Sequence, residues 1–364
     1  RSCGGAVGDV LAPLAKTLNE GPGERGHNME VEMMKKLVTA ALFAAFAGTG
    51  AQAADDVTLQ LKWVTQAQFA GYYVAQAKGF YEEENLNVTI KPGGPDIAPT
   101  QVMAGGGADV VIDWMPSALA AREKGLPLVN IAQPFAASGM MLTCLKETGI
   151  TTPADFADKT LGVWFFGNEY PFLSWMSQLG LATDGSAGGV TVLKQGFNVD
   201  PLLQKQAACI STMTYNEYWQ LIEAGMKPEE LQVFKYQEQG VATLEDGLYT
   251  TEKALADPKT VEKLAKFLKA TAKGWEYAAQ HQAEAVDIVL ANDSTGAQTR
   301  EHQTTMMGEV AKLIEGGKEG TGYLSPEDFD RTVSILMSGG SSPVISKMPT
   351  NAYSHAVFDA ASKL

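Results

Sequence analysis

From Val57 the chain alternates apolar and polar positions, with Val57, Leu59, Leu61 and Trp63 in phase. That is the period of a strand with one face against a core. A loop over 64–68 leads into a helix that Gly79 can stop by taking the left-handed conformation at its C-terminal cap. Leu86, Val88 and Ile90 then set a second strand in the same phase. Two strands joined through a helix are expected to be parallel, with a right-handed crossover. In open α/β sheets ligands bind beyond the carboxyl ends of the strands. Here that end carries Trp63, Gln66, Gln68, Phe69 and Tyr72, flat aromatic surface beside neutral amides, which suits a small organic ligand.

The same grammar repeats. A helix over 98–104 precedes a strand at 108–112, then Asp113-Trp114-Met115-Pro116 opens another helix, and strands follow at 127–132 and 140–145. From Thr151 the pattern restarts, with strands expected at 160–165, 190–195, 209–214 and 231–236. Between them lie loops that hold Asn168, Glu169 and Tyr170, then Phe197 and Asn198, then Tyr215 and Asn216. Asp257-Pro258 begins a long helix with Val261, Leu264, Phe267, Leu268 and Trp275 on one face, and Ser325-Pro326 caps a later one. These elements predict two α/β lobes, residues 54–141 with 247–364 and residues 142–246, plus a helical C-terminal part. The chain is expected to cross between the lobes near 137–141 and to return near 241–247, so that a cleft can open and close.

Composition limits the partners. The chain has 364 residues, 45% of them hydrophobic and 19% charged, with a formal net charge of −14. This is the balance of a globular protein that does not seek nucleic acid or anionic lipid. Lys35-Lys36, the apolar run 37–47 and Ala51-Gln52-Ala53 have the layout of a secretory signal cleaved near Ala53. Residues 29–53 are therefore expected to be a signal peptide, residues 1–28 to be upstream sequence without a fold, and the protein to be exported to the periplasm. Of the cysteines, Cys144 and Cys209 lie beyond that segment. One disulfide or two buried thiols suit them equally.

Catalytic patterns are missing. His281, His302 and His355 all fall in the helical tail, with no zinc-ligand spacing. No GxSxG elbow, Walker motif or GxGxxG after a strand occurs. No metal or cofactor is implied, and the enzyme reading is poor. Beyond Ala53 the arginines are Arg122, Arg300 and Arg331, none on a strand-to-helix loop, and Lys62 alternates away from Trp63. A simple oxyanion is thus the weaker ligand choice. The candidate binding residues are Trp63, Gln66, Tyr72, Asp113, Trp114, Asn168, Glu169, Tyr170, Phe197, Asn198, Tyr215 and Asn216. Their rings stack on a planar heterocycle, and their carboxylates and amides read its edge. Asp113 reads equally as a cap of the following helix. Trp164, Phe165 and Phe166 belong to a strand and are expected in the core.

The segments LKWVTQAQFAGYYVA (61–75), KGFYEEENLNVTIKPGGPDI (78–97), GVWFFGNEYPF (162–172) and CISTMTYNEYW (209–219) resemble the thiamine-pyrimidine-precursor family of ABC-importer periplasmic substrate-binding proteins. The resemblance implies a type II periplasmic binding fold. It also implies a monomer that binds a small planar N-heterocycle, with an ABC permease and ATPase as partners. It matches the family's ring-stacking Trp to Trp63 and its Gly-Glu-Phe-type loop to Gly167-Asn168-Glu169-Tyr170. The chain departs from the best-known pyrimidine binders in having Lys62 before Trp63 and Phe69 where they have His. A synthase of the same fold makes the pyrimidine from pyridoxal phosphate, with iron. Its Lys-x-x-x-His segment corresponds to Asp113–Ser117 here, and its Cys-rich segment to 241–249, where no Cys occurs.

Overall fold

Two five-stranded mixed sheets carry the molecule. The computed structural model describes residues 53–314, 319–338 and 343–364. The signal-peptide and upstream readings concern the N-terminal segment and lie outside these residues, Ala53 excepted.

The first sheet is built from β1 (Asp55–Gln60), β2 (Leu86–Lys91), β3 (Val110–Asp113), β4 (Leu128–Ala132) and β10 (Gly247–Thr251), in the order β2-β1-β3-β10-β4. The second comprises β5 (Met140–Leu145), β6 (Thr160–Val163), β7 (Thr191–Lys194), β8 (Cys209–Met213) and β9 (Leu231–Lys235), in the order β7-β6-β8-β5-β9. Within each sheet the β-α-β strands are parallel, as β1 is to β2 and β3 and β6 is to β7 and β8. The strand that follows each crossing runs antiparallel to both neighbours: β5 against β8 and β9, β10 against β3 and β4.

Most expected strands form within one to three residues of their predicted limits, but β10 was not anticipated. It begins at a glycine and spans five residues, too short for periodicity to single out. The first strand also ends early, at Gln60 instead of Trp63. Gly79 takes the left-handed conformation (φ 73°), although a second short helix, Phe80–Glu83, starts at once behind it. The long helix Pro258–Gln280 buries Leu264, Phe267, Leu268 and Trp275, and Asp257 caps it by accepting from Lys259 N. It lies hard against the helix Ala70–Ala77, since a Cβ on Gly71 would come within 2.2 Å of the Trp275 ring.

Cys144 and Cys209 face each other on β5 and β8 and are joined by a disulfide. The chain passes between the sheets in segments 133–139 and 236–246, and a single carboxyl ties the two passages together. Glu245 accepts from Gly139 N (2.9 Å) and from Ser138 Oγ (2.5 Å). Burial pushes its pKa up to about 8. Among the described residues no helix is long and apolar enough to cross a membrane.

Candidate functional site

Beyond Gln60 the backbone leaves the sheet in a series of bends before the short 3-10 turn Ala67–Phe69. Gly93 permits this path, because a Cβ there would lie 2.4 Å from the Leu61 carbonyl oxygen. With the strand ended, alternation no longer applies. Lys62 and Trp63 therefore line the same cavity, which corrects the placing of Lys62 on the opposite face. Gln66, Gln68 and Trp114 complete that wall. The facing wall comes from the second sheet's loops: Trp164, Asn168, Met213, Tyr215, Asn216 and Glu217. The space between the walls, counted with the solvent it opens to, is about 300 Å³.

Three indoles shape one corner. Trp164 meets Trp63 edge-on at 6.1 Å between ring centroids and Trp114 at 6.4 Å. This arrangement leaves ring faces for a flat guest. Trp164 is buried in the core as expected and also forms a wall of the cavity, just past the end of β6, whereas Phe166, also expected in the core, is 38% exposed.

The polar groups are paired in depth. Lys62 Nζ lies 2.5 Å from Asp113 Oδ1, with the two side chains 2% and 0% exposed. Asp113 also accepts from Trp114 N (2.8 Å) and Ser117 Oγ (2.9 Å). On the same side, Gln66 Nε2 donates to Gln68 Oε1 (2.7 Å) and Gln68 Nε2 to Asp246 (2.6 Å), which also accepts from Trp114 Nε1 (3.1 Å). Burial raises the Asp246 pKa to about 6. Across the cavity, Glu217 accepts from Met213 N (3.0 Å) and Asn216 Nδ2 (2.8 Å). Burial pushes its pKa up to about 8, so at neutral pH it holds a proton and can donate as well as accept. The Tyr215 hydroxyl is raised well above its ordinary value, first by burial and then by Asp246, Glu245 and Glu217, and remains a donor.

A second space of about 660 Å³ opens beside the first and shares Trp63, Gln66 and Asn216 with it. Phe197, Asn198, Gln220, Glu223, Gln298 and His302 are among the other residues that line it.

The expected binding residues therefore divide. Trp63, Gln66, Trp114, Asn168, Tyr215 and Asn216 line the inner cavity, and Phe197 and Asn198 line the outer one. Tyr72, Asp113, Glu169 and Tyr170 line neither. Tyr72 turns into the core, 1% exposed, with its ring 5.5 Å from that of Trp275, because its place on the helix Ala70–Ala77 faces the long C-terminal helix. Asp113 is consumed by Lys62, Trp114 N and Ser117 Oγ; it does not cap the following helix, the alternative expected from the sequence, since Trp114 occupies the N-cap. Glu169 folds back to accept from Gly167 N (2.8 Å), and Tyr170 begins the helix Tyr170–Gln178. Glu217, Asp246 and His302 were not singled out. Of these only Glu217 carried a local signal, as an acid directly behind Asn216 at the end of an apolar strand.

Two α/β lobes joined by two passages, each sheet completed by an antiparallel strand just after a passage, with a lined cavity between them, have the fold of the periplasmic binding proteins. Solved structures share it. A Bordetella bronchiseptica RB50 protein matches with a TM-score of 0.65 and 19% identity, over 86% of this chain and 98% of its own. The ligand-binding component of an ABC-type import system from Staphylococcus aureus matches at 0.62 and 13%, over 85% and 100%. The alkanesulfonate-binding protein SsuA from Xanthomonas axonopodis pv. citri matches at 0.55 and 12%, over 79% and 92%.

Within that class the chain belongs to the NMT1/THI5 like family, whose model matches residues 66–285. It is 26% identical to the formylaminopyrimidine-binding protein of Halalkalibacterium halodurans over 262 residues, 70% of this chain and 77% of that one. It is 25% identical to a putative thiamine biosynthesis protein of Haemophilus influenzae, over 64% and 72% of the two chains. A Legionella pneumophila 4-amino-5-hydroxymethyl-2-methylpyrimidine phosphate synthase is 33% identical over 107 residues only, 29% of this chain and 34% of that one.

Proposed function

We infer that this chain is the solute-binding component of an ABC importer, a periplasmic monomer that captures a thiamine-related aminopyrimidine and hands it unaltered to a membrane permease. The observation that carries the reading is the pairing of an indole-lined cavity with the buried carboxyl of Glu217 on its wall. An aminopyrimidine offers two stacking faces, a ring nitrogen that accepts from a carboxylic acid, and an exocyclic amine that donates to its carbonyl oxygen. Trp63 supplies a stacking face with Trp164 set edge-on to it, and Glu217, Asn216, Asn168 and Tyr215 read the edge.

The name of the Halalkalibacterium halodurans relative supports the same ligand class. The synthase reading has less support. The synthase likeness is confined to about a third of the chain, and Asp113–Ser117 holds neither the lysine nor the histidine that such chemistry uses.

The test is thermal unfolding and calorimetry with 4-amino-2-methylpyrimidines carrying hydroxymethyl, aminomethyl or formylaminomethyl arms, beside riboflavin and alkanesulfonates. A ligand that binds only the folded form raises the melting temperature. A rise with a pyrimidine and none with a sulfonate is expected. A rise with sulfonate alone overturns the reading.

A further inference from the structure

His302 stands outside the inner cavity, on the helix Arg300–Leu313, and is 7% exposed. Its Nε2 lies 2.8 Å from Asn216 Oδ1, and its Nδ1 lies 3.0 Å from both carboxylate oxygens of Glu223. Asn216 and Glu223 flank the helix Glu217–Glu223, which follows β8 in the second sheet. The next residue on the His302 helix reaches the other way: Gln303 Oε1 accepts from Ala67 N at 2.6 Å, in the loop that holds Gln66 and Gln68. Two adjacent side chains thus tie both walls of the cavity to one helix.

The contact with Asn216 is passed on. Asn216 Oδ1 accepts from His302 and from Gln220 Nε2 (3.0 Å), which fixes the amide so that its Nδ2 donates to Glu217 Oε1 (2.8 Å). Both ring nitrogens of His302 face side-chain oxygens. The titratable group facing it directly is Glu223, with Glu217 one residue further through Asn216. On its own helix Glu301 and Arg300 are adjacent in sequence, and Arg300 is drawn away to Asp287.

We propose that His302 is a positioning residue that latches the two lobes together and aims Asn216 and Glu217 at the ligand, an inference that rests on the aminopyrimidine reading for its second half. Opening the cleft must break the two His302 contacts. Losing His302 leaves Gln220 as the partner that holds the Asn216 oxygen, and so loosens one of the two donors to Glu217, the other being Met213 N. The latch then controls how long a ligand stays more than how fast it enters.

The experiment uses the full chain and its His302→Ala, His302→Gln and Glu223→Ala variants. Stopped-flow tryptophan fluorescence with 4-amino-5-aminomethyl-2-methylpyrimidine is expected to show dissociation at least about tenfold faster for His302→Ala, with association little changed. His302→Gln, whose amide can still donate to Asn216, should recover part of the loss, as a merely space-filling role would not. Small-angle scattering of the ligand-free protein is expected to give a larger radius of gyration for His302→Ala and Glu223→Ala than for the wild type. Equal dissociation rates and equal radii overturn the latch. If no pyrimidine binds the wild type, the ligand reading fails, while the scattering comparison still decides the latch. Should His302→Ala fail to fold, Glu223→Ala removes the outer acceptor from an exposed position and carries the test.

Discussion

The ammonium of Lys62 sits 2.5 Å from a carboxylate oxygen of Asp113, and both side chains are sealed from water. Lys62 is the one cation among the described residues lining the inner cavity, and its charge is cancelled before any guest arrives. Phosphate recognition needs unspent positive charge, usually from arginine or an open helix N-terminus. A phosphate ester of the hydroxymethylpyrimidine is therefore expected to bind at least about tenfold more weakly than the free alcohol, a gap of about 1.4 kcal/mol. Calorimetry with the two compounds measures this directly, and equal affinities would show that Lys62 leaves its partner to meet the ligand.

Trp63 offers its ring to both the inner and the outer space. Trp63→Ala should weaken pyrimidine binding by roughly 1–3 kcal/mol, the range seen when an aromatic platform is removed from a stacked base. An unchanged dissociation constant removes Trp63 from the site.

Glu217 is expected to make binding depend on pH. Its proton is held up to about pH 8. Below that the acid can donate to a ring nitrogen, and above it two negative oxygens face that nitrogen instead. Wild-type affinity should fall between pH 7 and 9. Glu217→Gln, which keeps an N–H donor at every pH, should bind within a few-fold of wild type at pH 7 and lose the alkaline fall. A variant that retains the same alkaline fall would place the titrating group elsewhere.

Glu245 makes a related prediction for stability. Its folded pKa of about 8 lies above that of an unfolded glutamic acid, so the native state holds the extra proton. Its contribution to stability is full below about pH 4, the unfolded value, and is lost as pH rises through 8. Melting temperature should therefore decline from pH 5 to pH 9. Glu245→Gln should flatten that decline and unfold at a higher temperature than wild type at pH 9. A steeper decline in the variant would mean that the carboxylate, not the acid, holds Gly139 and Ser138.

How much of this could be read from residues alone follows from the range of the forces involved. The parallel strands and the C-terminal helix came through because periodicity, Asp257-Pro258 and Ser325-Pro326 are local signals. The place of Trp63, Gln66 and Asn216 on the cavity wall was legible because the carboxyl ends of parallel strands must lie at one edge. Tyr72 lies away from that wall, because which side of a helix faces the core depends on the distant Trp275. The pairing of Asp113 was not legible, because its partner Lys62 lies 51 positions earlier, beyond the point where β1 gives way to bends. Asp246 reaches the site through Gln68 and Trp114, 178 and 132 residues away, and His302 contacts Asn216, 86 residues away, and no local pattern records those pairings.

The placing of β10 between β3 and β4 has a consequence for how the molecule is assembled. All five strands of the second sheet lie in one continuous stretch, so that lobe can finish as soon as its own residues are available. The first sheet waits for a strand more than a hundred residues downstream of its nearest partners, with two bare edges exposed in the meantime. A chain shortened before Gly247 should therefore aggregate through its opening half while its later half folds. The part made first is the part completed last.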